Sequence, residues 1–239
     1  MAIDATRAVG ELVAEKISRA SVFDRFGLDY CCHGQVALDE ACRRKGVAVG
    51  EVVAAIAADD AAPPAEDEPD YASMPLTELA DRIVSTHHAL LRRELPRLHE
   101  LLSRVVNAHA DRHPELREVA TTYAAFREEL DSHQSKEEQV LFPMIRELEA
   151  ATSSPSFHCG SVENPVRVMM HEHDSAGAAI ARMRELTGDF ATPPDGCTTY
   201  QALMAGLAAV EHDLHRHVHK ENNILFPRAV ALEASLAGV

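Results

Sequence analysis

The sequence predicts an all-α protein in which a small helical domain precedes a four-helix bundle. Trp is absent and aromatic residues make up only 5% of the 239 residues, while Ala, Leu, Glu and Arg are abundant. This composition is typical of helical chains. Apolar residues recur at helical spacing, and one motif is repeated in the second half of the chain.

Residues 1–58 are expected to form the small domain, because three short apolar groups with helical spacing lie there around a glycine-containing turn at 26–34. Residues 59–75 are acidic and rich in proline, with almost nothing to bury, and are predicted to be an extended, solvated linker. Residues 76–239 are assigned to the bundle, and its four helices are predicted at 76–107, 114–150, 165–187 and 198–235.

Charge and hydropathy exclude several classes of protein. Acidic residues number 38 against 23 Lys and Arg, giving a formal net charge of −15, which argues against nucleic acid or an anionic membrane surface as a partner. No long uncharged apolar run and no signal-peptide pattern is present. Five cysteines without a scaffold pattern fit a reducing compartment, so we expect a soluble, cytoplasmic protein.

The repeated motif reads His-x-x-Lys-Glu-x-x-x-Leu-Phe-Pro. It begins at His133 with Glu137, and both residues recur 84 positions later as His217 and Glu221. A His and a Glu four residues apart share one face of a helix, with Cβ atoms about 5–6 Å apart. A single such pair is better explained as a surface ion pair. Two copies in a duplicated hairpin instead indicate a binuclear metal site near the pseudo-two-fold axis of the bundle.

The first and third bundle helices are expected to supply further ligands. Each has two histidine candidates, His87 or His88 and His171 or His173, and spacing does not choose between them. Four imidazoles and two carboxylates are too many for one zinc ion, whereas two irons bridged by the repeated glutamates would use all six and keep open positions. Manganese remains chemically possible.

The adjacent thiols of Cys31 and Cys32 permit two interpretations, a labile redox pair or soft metal donor, or two thiols packed in a small core. The other cysteines, Cys42, Cys159 and Cys197, show no ligand spacing and are expected to be structural.

The remaining histidines are expected to be solvated or capping residues: His99, His109, His113, His158, His212, His215 and His219. Among these, His109 is of most interest because it lies near the end of the first bundle helix.

Together these motifs resemble the iron–sulfur cluster repair di-iron proteins, also called the repair of iron centres (RIC) family, whose bundle is hemerythrin-like. The resemblance spans nearly the whole chain. It rests on Asp29-Tyr-Cys-Cys32, the His133 motif, Glu172-His-Asp-x-Ala-Gly177, Pro193-Pro194 with Cys197-Thr-Thr199, and Glu221-Asn-Asn-x-Leu-Phe-Pro-Arg228.

The resemblance implies two non-haem iron ions with an oxo or hydroxo bridge. It selects as metal ligands His88, His133, Glu137, His173, His217 and Glu221. It implies a stress-response protein that repairs clusters damaged by nitric oxide or oxidants, by donating iron. The implied partners are damaged or apo iron–sulfur proteins and an unidentified reductant, with Cys31 and Cys32 in a redox or iron-transfer role.

Two other functions remain open at this stage. In the first, the iron site reduces nitric oxide or a peroxide. In the second, the chain is an oxygen- or redox-sensing binding protein. Oxygen-carrying relatives resemble a five-histidine site with a second His four residues along the third helix, where this chain has Gly177. That difference counts against a pure oxygen carrier. Whether the protein is an enzyme, and whether it forms a homodimer, are also open.

Overall fold

The computed structural model describes residues 3–62 and 69–237, so residues 63–68 of the expected linker lie outside the described part of the chain. The described ranges contain helices, turns and two isolated β-bridges, but no strand. The predicted all-α class is therefore confirmed.

The N-terminal region contains four short helices. They are α1 (Val9–Glu15), α2 (Ala20–Phe26), α3 (Leu38–Lys45) and α4 (Val49–Ala61), with a 3₁₀ turn at Ile17–Arg19 between α1 and α2. Helices α2 and α3 each end at a glycine with positive φ, Gly27 at 62° and Gly46 at 72°. This left-handed conformation closes a helix at little cost only when the residue has no Cβ.

The first residues of the expected linker are helical. Helix α4 continues to Ala61 because its acidic end has basic partners. The carboxylate of Asp60 accepts bonds of 2.9 and 2.8 Å from the guanidinium of Arg19, and Lys16 donates to the carbonyl of Asp59 at 2.8 Å. The domain limits at 58, 59 and 75 remain predictions.

The bundle region follows the four predicted helical spans to within a few residues, but three of the spans contain a π-helical segment. The elements are α5 (Leu76–Ile83), a π segment (Val84–His88) and α6 (Ala89–His109); α7 (Glu115–Lys136), a π segment (Glu137–Leu141) and α8 (Phe142–Ala150); α9 (Glu163–Leu186); and α10 (Thr198–Lys220), a π segment (Glu221–Leu225) and α11 (Phe226–Ala237).

Two of the π segments have an identifiable chemical cause. Pro143 and Pro227 follow them by two residues, and a proline has no N–H to donate to the carbonyl four residues earlier. The pattern of helical hydrogen bonds shifts by one residue there. The N–H of Phe142 donates to the carbonyl of Glu137, and the N–H of Phe226 donates to the carbonyl of Glu221. Such i→i−5 turns occur often at functional sites.

The described chain forms two compact groups of residues. The first group comprises residues 3–62, 69–80, 146–155 and 215–237, and the second comprises 81–145 and 156–214. In the first group, α4 packs against α2 and α3, while α1 contacts the π segment Glu221–Leu225. In the second group, α7 packs against α6 and α9, and the buried hydroxyl of Tyr123 donates to the carbonyl of Leu95 at 2.7 Å.

Across the described residues, no helix has both the length and the apolar character that a bilayer crossing requires.

Candidate metal centre

Glu137 is the centre of a buried cluster in the second group. It is the first residue of its π segment, and its side chain is fully buried. The Nε2 atoms of His88 and His133 lie 3.3 Å from its two carboxylate oxygens. The Nε2 atom of His173, on α9, lies 3.0 Å from that of His133. One ligand atom each from His133, Glu137 and His173 falls within 4.8 Å of the others, a spacing that suits a common metal ion.

The outward nitrogens of two of these imidazoles face carboxylates. His88 Nδ1 lies 2.6 Å from Glu138 Oε1, and His133 Nδ1 lies 2.9 Å from Glu172 Oε2. Because a carboxylate accepts hydrogen bonds, each Nδ1 carries the proton and donates it. The lone pair of each neutral ring is thereby directed inward from Nε2, as it is in histidines that ligate metals.

These outer carboxylates are themselves held by cations. Arg92 pairs with Glu138 and Lys136 pairs with Glu172. Partial burial opposes ionisation of Glu172, but its hydrogen bonds with Lys136 and His133 outweigh this effect and lower its pKa. Glu172 is therefore an anion that orients His133.

The cluster has the chemistry of a cation site. The inward Nε2 atoms of His133 and His173 cannot both carry a proton at a separation of 3.0 Å, and they lie beside the buried carboxylate of Glu137. Electron-rich atoms that converge away from water are costly unless a positive charge lies among them. Imidazole and carboxylate donors suit a first-row divalent metal such as iron. The residues present therefore fit the expected metal.

The first group carries a matching pair. His217 is near the end of α10 and Glu221 begins the π segment that follows. Both side chains are buried, and His217 Nε2 lies 3.0 Å from Glu221 Oε1. This arrangement repeats that of His133 and Glu137, as the sequence duplication predicts.

The flanking histidines occupy different surroundings. His87 is buried, with Nδ1 2.8 Å from a carboxylate oxygen of Asp213, whereas His171 is exposed. His88 and His173 are the members of each pair that lie in the Glu137 cluster. Sequence reasoning did not identify Glu138 and Glu172 as partners of the imidazoles, although each directly follows a residue that it had considered, Glu137 and His171.

The vicinal cysteines lie in the first group, in a turn organised by Asp29. One carboxylate oxygen of Asp29 accepts the backbone N–H groups of Cys31 and Cys32 at 3.1 and 3.0 Å, and the other lies 2.6 Å from His33 Nδ1. The two sulfurs are thiols 3.8 Å apart. A hydrogen bond with Cys32, together with burial, raises the pKa of Cys31 well above that of an ordinary thiol. Asp29, Cys31 and Cys32 also offer ligand atoms within 4.8 Å of one another.

This turn is fixed to the helix that carries Glu221. The carbonyl of Cys31 accepts hydrogen bonds from the side-chain amides of Asn222 and Asn223 at 3.3 and 3.1 Å. His219, expected to be a solvated or capping residue, is instead fully buried, with Nδ1 3.3 Å from the carbonyl of Tyr30. Burial lowers the pKa of His219 to about 4. The sequence prediction for His219 was wrong because its environment is made by a distant turn.

Two known protein families match successive parts of the chain. Residues 79–229 match the family described as Hemerythrin HHE cation binding domain, and residues 5–60 match a family described as Domain of Unknown function (DUF542). Three relatives are each named iron-sulfur cluster repair protein YtfE; they come from Escherichia coli O157:H7, Escherichia coli O8 (strain IAI1) and Shigella boydii serotype 4 (strain Sb227). Each is 39% identical to this chain over 227 residues, which cover 94% of this chain and 97% of the relative. The chain therefore belongs to the family of iron–sulfur cluster repair proteins that contain a hemerythrin HHE cation binding domain.

Proposed function

We propose that this protein repairs damaged iron–sulfur clusters by supplying iron that it holds in a di-iron centre. The observation that carries the proposal is the convergence of imidazole Nε2 atoms on the buried carboxylate of Glu137. The repeated His–Glu pair, the extent of the cation-binding family match and the names of the relatives support it. The ligand set that we propose is His88, His133, Glu137, His173, His217 and Glu221.

In this proposal the carboxylates of Glu137 and Glu221, with the four histidines, would hold two irons that share an oxo or hydroxo ligand. When bound, the irons would supply a redox-active cargo that can be released. Glu138 and Glu172 keep His88 and His133 in the tautomer that binds metal. Burial of Glu137 keeps water from its carboxylate.

We further propose that the turn at Cys31 and Cys32 receives the released iron or passes electrons. Its support is the hydrogen bonding of Cys31 to Asn222 and Asn223, which directly follow Glu221. The carboxylate of Asp29 and the two sulfurs form a second group of ligand atoms. The final acceptors would be apo or damaged iron–sulfur proteins of the cytoplasm, with a cellular reductant driving release.

The first test is the metal content of the chain after anaerobic purification. We expect about two irons per chain in the parent, because the ligand set divides between two ions, and far less in the Glu137→Ala, Glu221→Ala double variant. Glu129→Ala, which changes an exposed glutamate of α7, the helix that precedes Glu137, should retain both irons. One zinc per chain, or iron content indifferent to the double substitution, would contradict the di-iron centre.

The role of the vicinal cysteines needs a separate test. The Cys31→Ser, Cys32→Ser variant should keep the iron absorption spectrum but transfer less iron to an apo-cluster protein. Cys42→Ser, which changes a buried thiol of α3, should transfer iron as the parent does. Undiminished transfer by the double variant would remove the cysteines from the mechanism and leave the iron centre itself untouched.

A second candidate activity is reduction of nitric oxide at the same centre. Gly177, one helical turn after His173 on α9, offers no side-chain ligand at the place where an additional histidine would bind, which leaves a coordination position for an exogenous molecule. Formation of nitrous oxide from nitric oxide under reducing conditions, with iron retained by the protein, would favour this activity over iron donation.

A further inference from the structure

A cysteine and a histidine outside the proposed metal centre form a close pair in the second group. Cys197 immediately precedes α10, and its Sγ lies 3.3 Å from Nε2 of His109, the last residue of α6. His109 is buried, whereas Cys197 is exposed. Cys197, which was expected to be structural, thus has a thiol that faces both solvent and an imidazole.

The backbone also directs hydrogen-bond donors toward this sulfur. The carbonyl of Cys197 accepts the N–H of Gln201 at 3.0 Å, which makes Cys197 the N-cap residue of a helix of 23 residues. An N-cap side chain meets the N–H groups at the second and third helical positions, here Thr199 and Tyr200. These donors and the His109 ring lower the pKa of Cys197 to about 7. The positive end of the helix dipole acts in the same direction.

The charged groups around the pair are balanced among themselves. On the preceding loop, Asp195 accepts from His113 Nε2 at 3.0 Å and pairs with Arg112 at 3.3 Å. His113 Nδ1 lies 3.2 Å from Glu115. The ring of Tyr200 meets His109 edge-on, with centroids 5.5 Å apart. Among the described residues, the carboxylates near the sulfur are thus paired with cations or imidazoles. The groups that face the sulfur itself are N–H donors.

The pair differs from a hydrolytic dyad in one respect. A histidine that serves as a general base is usually oriented by a third group on its other nitrogen. Nδ1 of His109 is buried and has no hydrogen-bond partner within the described ranges. The arrangement stabilises a thiolate but does not build the proton relay that acyl transfer needs. The reactions that remain are those in which the thiolate attacks without a general base.

We propose that Cys197 is a redox-modification site for hydroperoxides. The thiolate attacks one peroxide oxygen, an S–O bond forms as the O–O bond breaks, and the departing oxygen takes a proton from water. The sulfur is oxidised to a sulfenic acid and the peroxide is reduced to an alcohol or water. A small thiol then condenses with the sulfenic acid, which forms a mixed disulfide and releases water.

The same geometry predicts the order in which the cysteines react. Cys31 is buried and its thiol donates toward Asp29, and burial raises the pKa of Cys42. Thiolate character and access together control oxidation. Cys197 should therefore be oxidised before the vicinal pair, although the sequence draws attention to the pair first.

Dimedone trapping followed by peptide mass spectrometry tests this order on the full chain treated with hydrogen peroxide. We expect the adduct first on Cys197, and none on that peptide in Cys197→Ser. Iodoacetamide alkylation of Cys197 should show a midpoint near pH 7. In His109→Leu the midpoint should rise, and a rise of one unit would slow alkylation at pH 7 about fivefold through the lower thiolate fraction.

Two further variants separate a specific contact from general damage. His109→Gln keeps a side-chain N–H donor and should recover most of the rate lost in His109→Leu. His99→Leu removes an exposed imidazole of the same helix α6, ten residues before His109, and should leave the midpoint unchanged. Adducts appearing first on Cys31, Cys32 or Cys42, a parent midpoint near the ordinary thiol value of about 8.5, or equal effects of the two leucine variants would each overturn the proposal.

Discussion

The side-chain amide of Asn223 donates to the carbonyl oxygen of Cys31 at 3.1 Å. Asn223 follows Glu221 by two residues, within the same π segment. The vicinal cysteine turn and a carboxylate of the proposed metal centre are thus joined by a side chain rather than by a long linker alone. The contact fixes the separation between the cysteine turn and the π segment that begins at Glu221, which is the separation that the proposed transfer would use.

Removing that amide should loosen the cysteine turn. In Asn223→Ala the carbonyl of Tyr30 loses one of its donors, and the carbonyl of Cys31 loses Asn223 and keeps its bond from Asn222. We expect the free energy of unfolding to fall by about 1–2 kcal/mol, and alkylation of Cys31 to become faster. Urea unfolding and thiol labelling measure the two effects. Asn164→Ala, which removes an exposed amide bonded to the carbonyl of Cys159, should not change the labelling of Cys31.

The space for Asn223 depends on a glycine. A Cβ added at Gly34 would lie 2.1 Å from Oδ1 of Asn223 and 2.9 Å from the carbonyl of Tyr30. Gly34→Ala should therefore displace the amide and lower the free energy of unfolding by about 1–3 kcal/mol. Gly50→Ala is the matched control, since nothing lies within 4 Å of its Cβ and alanine favours the helix by about 0.5–1 kcal/mol. Equal destabilisation by both would argue against the steric cause.

The anion that orients His133 should affect metal retention. In Glu172→Ala, Nδ1 of His133 loses its carboxylate partner, and we expect metal affinity to fall about 10- to 100-fold. The rate of iron loss to a chelator measures this effect. Glu118→Ala removes a surface glutamate that pairs with Arg182 and should release iron at the parent rate. Faster loss in both variants would point to general loosening of the bundle.

Acid should weaken the contact at the end of α4. The hydrogen bond from Arg19 lowers the pKa of Asp60 below the usual 3.8. A carboxyl group with a lowered folded-state pKa stabilises the protein fully above its unfolded pKa, and this contribution disappears as the pH falls below it. Asp60→Asn should cost about 1–2 kcal/mol at neutral pH, and the difference from the parent should narrow below about pH 4. Urea unfolding at several pH values checks this.

Asp111→Asn is the control for that series, because the side chain of Asp111 is wholly exposed. Its stability should follow the parent at every pH. A constant difference between parent and Asp60→Asn across the acid range would show that the charge of Asp60 contributes nothing.

Local spacing and the internal repeat were enough to predict the helices and four of the six proposed ligands. The 3.6-residue apolar period placed the four bundle helices, and duplication singled out His133, Glu137, His217 and Glu221. The choice of His88 over His87 came from family resemblance, because adjacent residues on a helix differ only in which side they face. That direction is set by packing partners from other helices.

Other features depend on contacts that no local pattern contains. Glu172 orients His133 from a different helix, and Cys197 meets His109 across 88 positions of sequence. The π segments are an intermediate case. The repeated Leu-Phe-Pro signals a missing N–H at Pro143 and Pro227, but the segment at Val84–His88 has no following proline nearby to predict it.

The π segments also set the direction of the helices that follow them. A π turn holds about one residue more than an α-helical turn, and one extra residue rotates everything beyond it by about 100°. The segments that begin at Glu137 and Glu221 occupy equivalent places in the two copies of the motif, so both copies carry the same rotation. The segment ending at His88 has no counterpart in α9. The two copies therefore agree in their carboxylate-bearing helices and differ in their histidine-bearing first helices.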